Sequence, residues 1–213
     1  MSFEGLTGRG VRVAFIDSGV NPAHPHVGGV AGGVAFGPGG ESSLYLDYLG
    51  HGTAVAGAIR EKAPDAELYA VKVFDRTLAT NLDTLVRALE WCADHEMHLI
   101  NLSLGTEKRE RLAPALARAV AAGALLVCPR SMRLPDAVPV DLDWSCPRDQ
   151  YRHAGGVFYA SGYPRPIPGM PPDRNLHGLS FAVANFTGFA ARALQAAPAG
   201  AVRDLLVRGA AAL

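Results

Sequence analysis

Apolar runs of five and six residues recur along the chain: VRVAFI at 11–16, LYAVKV at 68–73, HLINLS at 98–103 and ALLVC at 124–128. They do not alternate cleanly between apolar and polar positions. Short continuous runs of this kind suit strands buried on both faces of a parallel sheet. Between the second and third, NLDTLVRALEWCADH (81–95) changes period: Leu82, Leu85, Val86, Leu89 and Cys92 fall at helical spacing, and Asn81 stands where a cap belongs. A second helix is predicted over RLAPALARAVAA (111–122), with Gly123 ending it. Strand, helix, strand, helix, strand in this order makes βαβ crossovers. The pattern predicts an α/β fold of three layers, a mostly parallel β-sheet with helices on both faces. Two stretches show no period. Residues 28–43 are Gly-rich and residues 129–175 carry nine prolines, so both read as loops. Neither has the length of an interdomain linker and no internal repeat is found, so residues 1–213 read as a single domain.

Composition narrows the function classes. At 213 residues and 49% apolar, the chain is long enough for one well-cored domain. Its 20 basic and 20 acidic residues are scattered, which leaves no basic stripe for a nucleic acid. The amino-terminal MSFEGLTGRG has no apolar segment of the export type, and no run approaches the roughly 18–20 apolar residues that cross a bilayer. A cytoplasmic protein is therefore expected, with no membrane partner. Cys92, Cys128 and Cys146 are odd in number and far apart, matching neither a disulfide framework nor a metal site, and a reducing compartment suits them. No cofactor is expected.

Chemistry is to be sought just beyond the carboxyl ends of the strands, where open α/β sheets bind ligands. Asp17 follows the first predicted strand, although an aspartate there is also an ordinary turn residue. His51 opens GHGTAVAGAI, a helix of small residues able to pack closely on a neighbour. Ser180 opens a third such element, SFAVANFTGFAA, where serine is equally at home as a helix cap. A serine hydroxyl becomes a strong nucleophile only when a base takes its proton and a third group orients that base. The chain offers one of each: Ser180 to attack, His51 to accept the proton and Asp17 to hold the imidazole. At a helix start, Ser180 also has its own N–H and the positive end of the helix dipole available to an oxyanion. His24 and His26 in NPAHPHV lack a carboxylate or cysteine cluster beside them and read as turn residues, so no metal site is assigned. His177 reads as a surface histidine.

The order Asp, His, Ser and the motifs around these residues resemble the subtilisin-like serine peptidase (subtilase) family. VAFIDSGVNPAHPHV is similar to its Asp motif, HGTAVAG to its His motif and HGLSFAVANFTG to its Ser motif; APDAELYAVKVF and INLSLGT also resemble family segments. The likeness runs from about residue 11 to 208. It implies a subtilisin-like fold, catalytic roles for Asp17, His51 and Ser180, and a wall at Ser103, Leu104 and Gly105 to which a peptide adds as an extra strand.

The chain also departs from the family. After ALLVC the family normally reaches a Gly-Asn whose amide donates to the oxyanion; here CPRSMRLPDAV places Ser131 at the glycine and Met132 at the asparagine. Arg130 and Ser131 are the candidates to replace that donor, beside the Ser180 N–H. Leu179 stands where the family usually has threonine, and Ala184 and Asn185 where proline and a further polar residue are common. No acidic loop suited to calcium is visible, and no inhibitory segment is expected ahead of the Asp motif. Two functions follow from the resemblance. One is an intracellular serine endopeptidase, or an acyl-transfer relative, that cuts a specific peptide in bacterial peptide maturation. The other is a pseudoenzyme that binds a peptide or partner without a working oxyanion site. Homo- or hetero-oligomerisation stays open.

Overall fold

The computed structural model describes residues 3–211 other than Pro38 and Glu107. Nine strands among these residues, β1 (Arg12–Asp17), β2 (Gly32–Gly37), β3 (Gly40–Ser42), β4 (Glu67–Lys72), β5 (Leu99–Leu102), β6 (Leu125–Pro129), β7 (Val138–Leu142), β8 (Tyr151–Ala154) and β9 (Val157–Ala160), form one sheet in the order β3-β2-β4-β1-β5-β6-β7-β9-β8. Every neighbouring pair is parallel except the edge pairs β2–β3 and β8–β9. The helices are α1 (His51–Lys62), α2 (Leu82–Asp94), α3 (Ala113–Ala121), α4 (Leu179–Ala196) and α5 (Ala199–Gly209).

Both faces of the sheet are covered, which is why its central strands read as continuous apolar runs. Val13 and Phe15 of β1 pack in one core with α1, α4 and α5; Ala14 and Ile16 pack in the other with α2 and α3. The predicted cap of α2 forms, with Asn81 Oδ1 accepting from the Thr84 N–H at 2.8 Å. Gly123, at φ 92°, ends the turn after α3. From Phe181 to Ala191 every side chain of α4 is buried. Gly188 permits this, because a Cβ there would lie 2.6 Å from the Lys62 Cβ of α1 and 3.0 Å from the Ile59 carbonyl.

The two stretches read as loops are corrected. Residues 28–43 contain β2 and β3, and residues 129–175 contain β7, β8 and β9. Glycine disguises β2: a Cβ on Gly33 would lie 2.5 Å from the Ala70 carbonyl and 2.9 Å from the Tyr45 ring, so its neighbours leave no room for a side chain there. Pro139 interrupts the pattern of β7, and β8–β9 is a short hairpin turned at Gly155-Gly156, both with positive φ.

Candidate active site

Asp17 is the last residue of β1 and fully buried. Its Oδ1 accepts from the Ser18 N–H at 2.7 Å and from His51 Nδ1 at 2.7 Å. A carboxylate only accepts, so Nδ1 carries the proton and Nε2 is left as the basic nitrogen. Asp17 Oδ2 is buried with no hydrogen-bond partner among the described residues, so the carboxylate is compensated through Oδ1, by Ser18 and His51. Burial alone would push the His51 pKa down, but the hydrogen bond and charge of Asp17, then the charge of Asp47, outweigh it and hold the pKa above its ordinary value. The Phe181 ring, 5.3 Å from that of His51 between centroids, backs the imidazole on another side. Such an approach of α1 to β1 requires glycine after His51: a Cβ on Gly52 would stand 2.2 Å from the Gly19 carbonyl.

Ser180 lies two positions past the cap. Gly178, at φ 137°, is the N-cap of α4 and Ser180 the second helical residue. Its N–H has no acceptor within the helix, as for any first-turn residue, and the helix dipole adds to its pull on an anion. The Ser180 hydroxyl donates to the Ser103 carbonyl at 3.2 Å, and the Ser103 hydroxyl donates in return to the Ser180 carbonyl at 3.3 Å. His51, Ser180 and the segment Ser103, Leu104, Gly105 and Thr106 line one cavity of about 280 Å³, closed by Phe74, Leu78, Leu82 and Leu85. All three reacting candidates and the predicted strand wall therefore meet at the carboxyl edge of the sheet.

Supporting residues that the motifs alone did not single out surround these groups. Asp47, four positions before His51, accepts at Oδ1 from the Ser18 hydroxyl and the Leu49 and Gly50 N–H groups, each at 2.9 Å. Its Oδ2 accepts from Thr53 N–H at 2.9 Å and the Thr53 hydroxyl at 2.7 Å. Ser18 Oγ accepts the Gly52 N–H at 2.9 Å, so the start of α1 is tied to the turn that carries Asp17. On the serine side, buried Asn101 donates to Ser103 Oγ at 2.7 Å and accepts from the Thr187 hydroxyl of α4 at 2.9 Å. Asn185 donates to the carbonyls of Ser161 and Tyr163, each at 2.9 Å, which pins α4 to the strand end before the loop that leads into Ser180.

A family model described as the subtilase family matches residues 8–129. The chain belongs to the subtilase family. Among its relatives, a thermostable alkaline protease of Halalkalibacterium halodurans is 43% identical over 133 residues, which is 58% of this chain and 36% of the relative. Subtilisin E of Bacillus subtilis is 41% identical over 111 residues, covering 48% of this chain and 29% of that protein. Subtilisin Savinase of Lederbergia lenta is 40% identical over 133 residues, 58% and 48% of the two chains. The matched part of this subtilase thus spans between 29% and 48% of these relatives' own lengths. A crystal structure of a cold adapted subtilisin-like serine proteinase superposes with a TM-score of 0.77 at 23% identity, covering 96% of this chain and 83% of that one. The subtilisin-like, three-layer fold is thereby shown over the stretch beyond residue 129, where Ser180 lies.

Two expected contributors stand apart from the subtilase cleft. Arg130 is exposed and its Nε pairs with Asp141 Oδ2 at 3.1 Å; Ser131 is exposed beside it. Neither lines the cavity that holds His51 and Ser180. Met132, which the sequence resemblance set at the amide-donor position, is buried, and its sulfur accepts the Thr106 N–H at 3.3 Å. It packs behind the strand wall and donates nothing. Leu179 begins α4 and packs against the core. His177 is exposed, with Nδ1 3.0 Å from the Asn175 carbonyl and its ring near Trp144 and Tyr163. Among the described residues, no group of three or more His, Cys, Asp or Glu side chains is placed to hold a metal ion, and no helix is long and apolar enough to cross a membrane.

Proposed function

We propose that this subtilase is a serine endopeptidase that opens a peptide bond through an acyl-enzyme on Ser180. The observation that carries the reading is the 2.7 Å bond from His51 to buried Asp17 beside a cavity that Ser180 shares. A peptide adding as a strand along Ser103–Gly105 offers its N–H to the Ser103 carbonyl and displaces the Ser180 hydroxyl from it. The freed hydroxyl turns to Nε2 of His51, which takes its proton as the oxygen attacks the scissile carbonyl. Asp17 stabilises the imidazolium, and the Ser180 N–H at the positive end of α4 receives the oxyanion. His51 then protonates the leaving amine, and water hydrolyses the acyl-enzyme; an amine in its place gives the acyl-transfer variant. The apolar side chains facing the cavity, Phe74, Leu78, Leu82 and Leu85, suit an apolar residue on the peptide ahead of the cut. An intracellular role in maturing a specific peptide completes the proposal; three buried free cysteines, which need no oxidising compartment, support it.

The test is labelling by a fluorophosphonate probe. Native protein should label and Ser180→Ala should not. The engagement of the Ser180 hydroxyl by the Ser103 carbonyl, with Met132 at the donor position, favours a second reading, a peptide-binding pseudoenzyme. A native protein that stays unlabelled while binding peptide would establish that reading instead.

A further inference from the structure

A second open cleft, of about 480 Å³, borders the same two elements as the Ser180 cavity. Where the first is lined by His51 and Ser180, the second is lined by Gly50 and Ala54 of the α1 start and by Asn175 and Leu176 of the loop entering α4. Its apolar lining is open to solvent: Ile167, Met170 and Leu176 are 39, 41 and 43% exposed. It carries two guanidinium groups against one carboxylate. Arg165 and Arg174 both line it, and neither guanidinium lies within ion-pairing distance of a carboxylate among the described residues. The acidic residue in the lining is Asp47, whose two oxygens are already taken by five donors. Burial and then the positive field of Arg165 hold the His26 pKa below its ordinary value, and the two guanidinium groups outnumber the single carboxylate of Asp47.

We propose that this cleft takes the part of a peptide substrate that follows the scissile bond and selects a carboxylate on it. The inference rests on the peptidase reading. In that reading Ser103–Gly105 holds the chain ahead of the cut, and His51 must reach the leaving amine. The chain beyond that amine therefore passes the α1 start, into the open space that Gly50, Ala54 and the 175–176 segment enclose. Guanidinium groups pair with carboxylates in a planar, two-pronged geometry, and here two of them stand beside apolar surface with no carboxylate partner among the described residues, Arg165 Nη1 donating only to the His26 carbonyl at 3.4 Å. The carboxylate is either an Asp or Glu side chain or the free carboxyl end of the peptide.

The experiment uses internally quenched peptides with the same apolar residues ahead of the cut. One set is amidated and carries Glu, Gln or Lys at successive positions after it; another is neutral and ends in a free carboxylate. Native protein should cleave a carboxylate peptide with kcat/KM about tenfold above its Gln or amide counterpart, the size of one charge-assisted contact. That ratio should fall toward one in Arg165→Gln/Arg174→Gln and, in the native protein, at high salt. The arm in which the ratio appears tells side chain from chain end. Binding of the same labelled peptides to Ser180→Ala, read by fluorescence anisotropy, supplies a measurement that needs no turnover. Equal kcat/KM and equal binding for carboxylate and neutral peptides overturn the inference, as does a preference that survives both substitutions. Loss of the peptidase reading shows separately, as a Ser180 that the fluorophosphonate does not label.

Discussion

Replacing Asp47 by alanine removes one acceptor from five donors: the Ser18 hydroxyl, the Leu49, Gly50 and Thr53 N–H groups and the Thr53 hydroxyl. Hydrogen bonds to a charged group contribute about 1.5–3 kcal/mol each, but bonds within one network do not add. Asp47 is half-buried, so water reaches some of the stranded donors, and Ser18 keeps a second acceptor in Asp17 Oδ1 at 3.2 Å. The N–H groups at the α1 start amount to a lost helix cap, about 0.5–2 kcal/mol. The two parts together give a loss of about 3 kcal/mol, or about 6–12 °C in Tm for a chain of this size. Asp47→Asn keeps the shape but turns amide protons toward N–H donors on one side, so it should recover no more than part of that. Because Ser18 Oγ holds the Gly52 N–H, loosening Asp47 also loosens His51 against Asp17, and the fluorophosphonate labelling rate should fall. The charge of Asp47 raises the His51 pKa, so the acid limb of the labelling rate should move to lower pH in Asp47→Asn. Urea and thermal unfolding with a labelling time course measure all three. An Asp47→Ala protein within about 0.5 kcal/mol of native, the range of an unimportant surface change, and labelled at the native rate, would refute the reasoning.

Gly52→Ala drives a Cβ to 2.2 Å from the Gly19 carbonyl, so α1 must retreat from β1; a stability loss of about 3 kcal/mol, the upper end of overpacking, with labelling nearly abolished, is expected from unfolding and probe assays. In the peptidase reading His51 must be neutral to act as base, and its pKa lies above the ordinary 6.5, so the labelling rate should reach half its plateau above that pH. The same raised pKa stabilises the native state fully below the unfolded value and loses that contribution as pH rises through the folded one. A native-minus-His51→Gln difference in unfolding free energy that shrinks from acid to mildly alkaline pH would show it, and a flat difference would count against it.

The sequence pattern located the central strands because burial on both faces makes them largely apolar, and α2 and α3 because one buried face repeats at helical period. The strands outside the centre, β2 and β7 among them, escaped for a different reason. Gly33 is small because Ala70 and Tyr45 occupy the space of its side chain, and Pro139 sits in a strand despite lacking a donor. Asp17, His51 and Ser180 were legible as motifs, since each stands at an element boundary, where a strand ends or a helix begins at the sheet edge. What their motifs could not convey was the support between them. Asp47 looks like any turn aspartate until the chain folds its carboxylate over Ser18 and Thr53, residues 29 and 6 positions away. Ser180 looked like a cap until Gly178 proved to hold that place, leaving the hydroxyl to reach Ser103, 77 positions away.

The same support network bears on the missing donor. Losing a side-chain amide at the oxyanion costs about 10²–10³ in turnover, a figure measured in subtilisin itself, or about 2.7–4 kcal/mol. Met132 spends that position on packing, and its sulfur holds the Thr106 N–H behind the strand wall that a peptide would join. In the peptidase reading, chemistry on the Ser180 N–H and the α4 dipole alone must recover the deficit from binding energy that positions the scissile bond, rather than from charge stabilisation. A peptide gripped on both sides of the cut, by the apolar cavity ahead of it and the arginine cleft beyond it, supplies such energy, whereas a short or generic peptide does not. Slow turnover of small substrates together with a steep gain on lengthening the peptide past the cut is therefore the kinetic form this site should take.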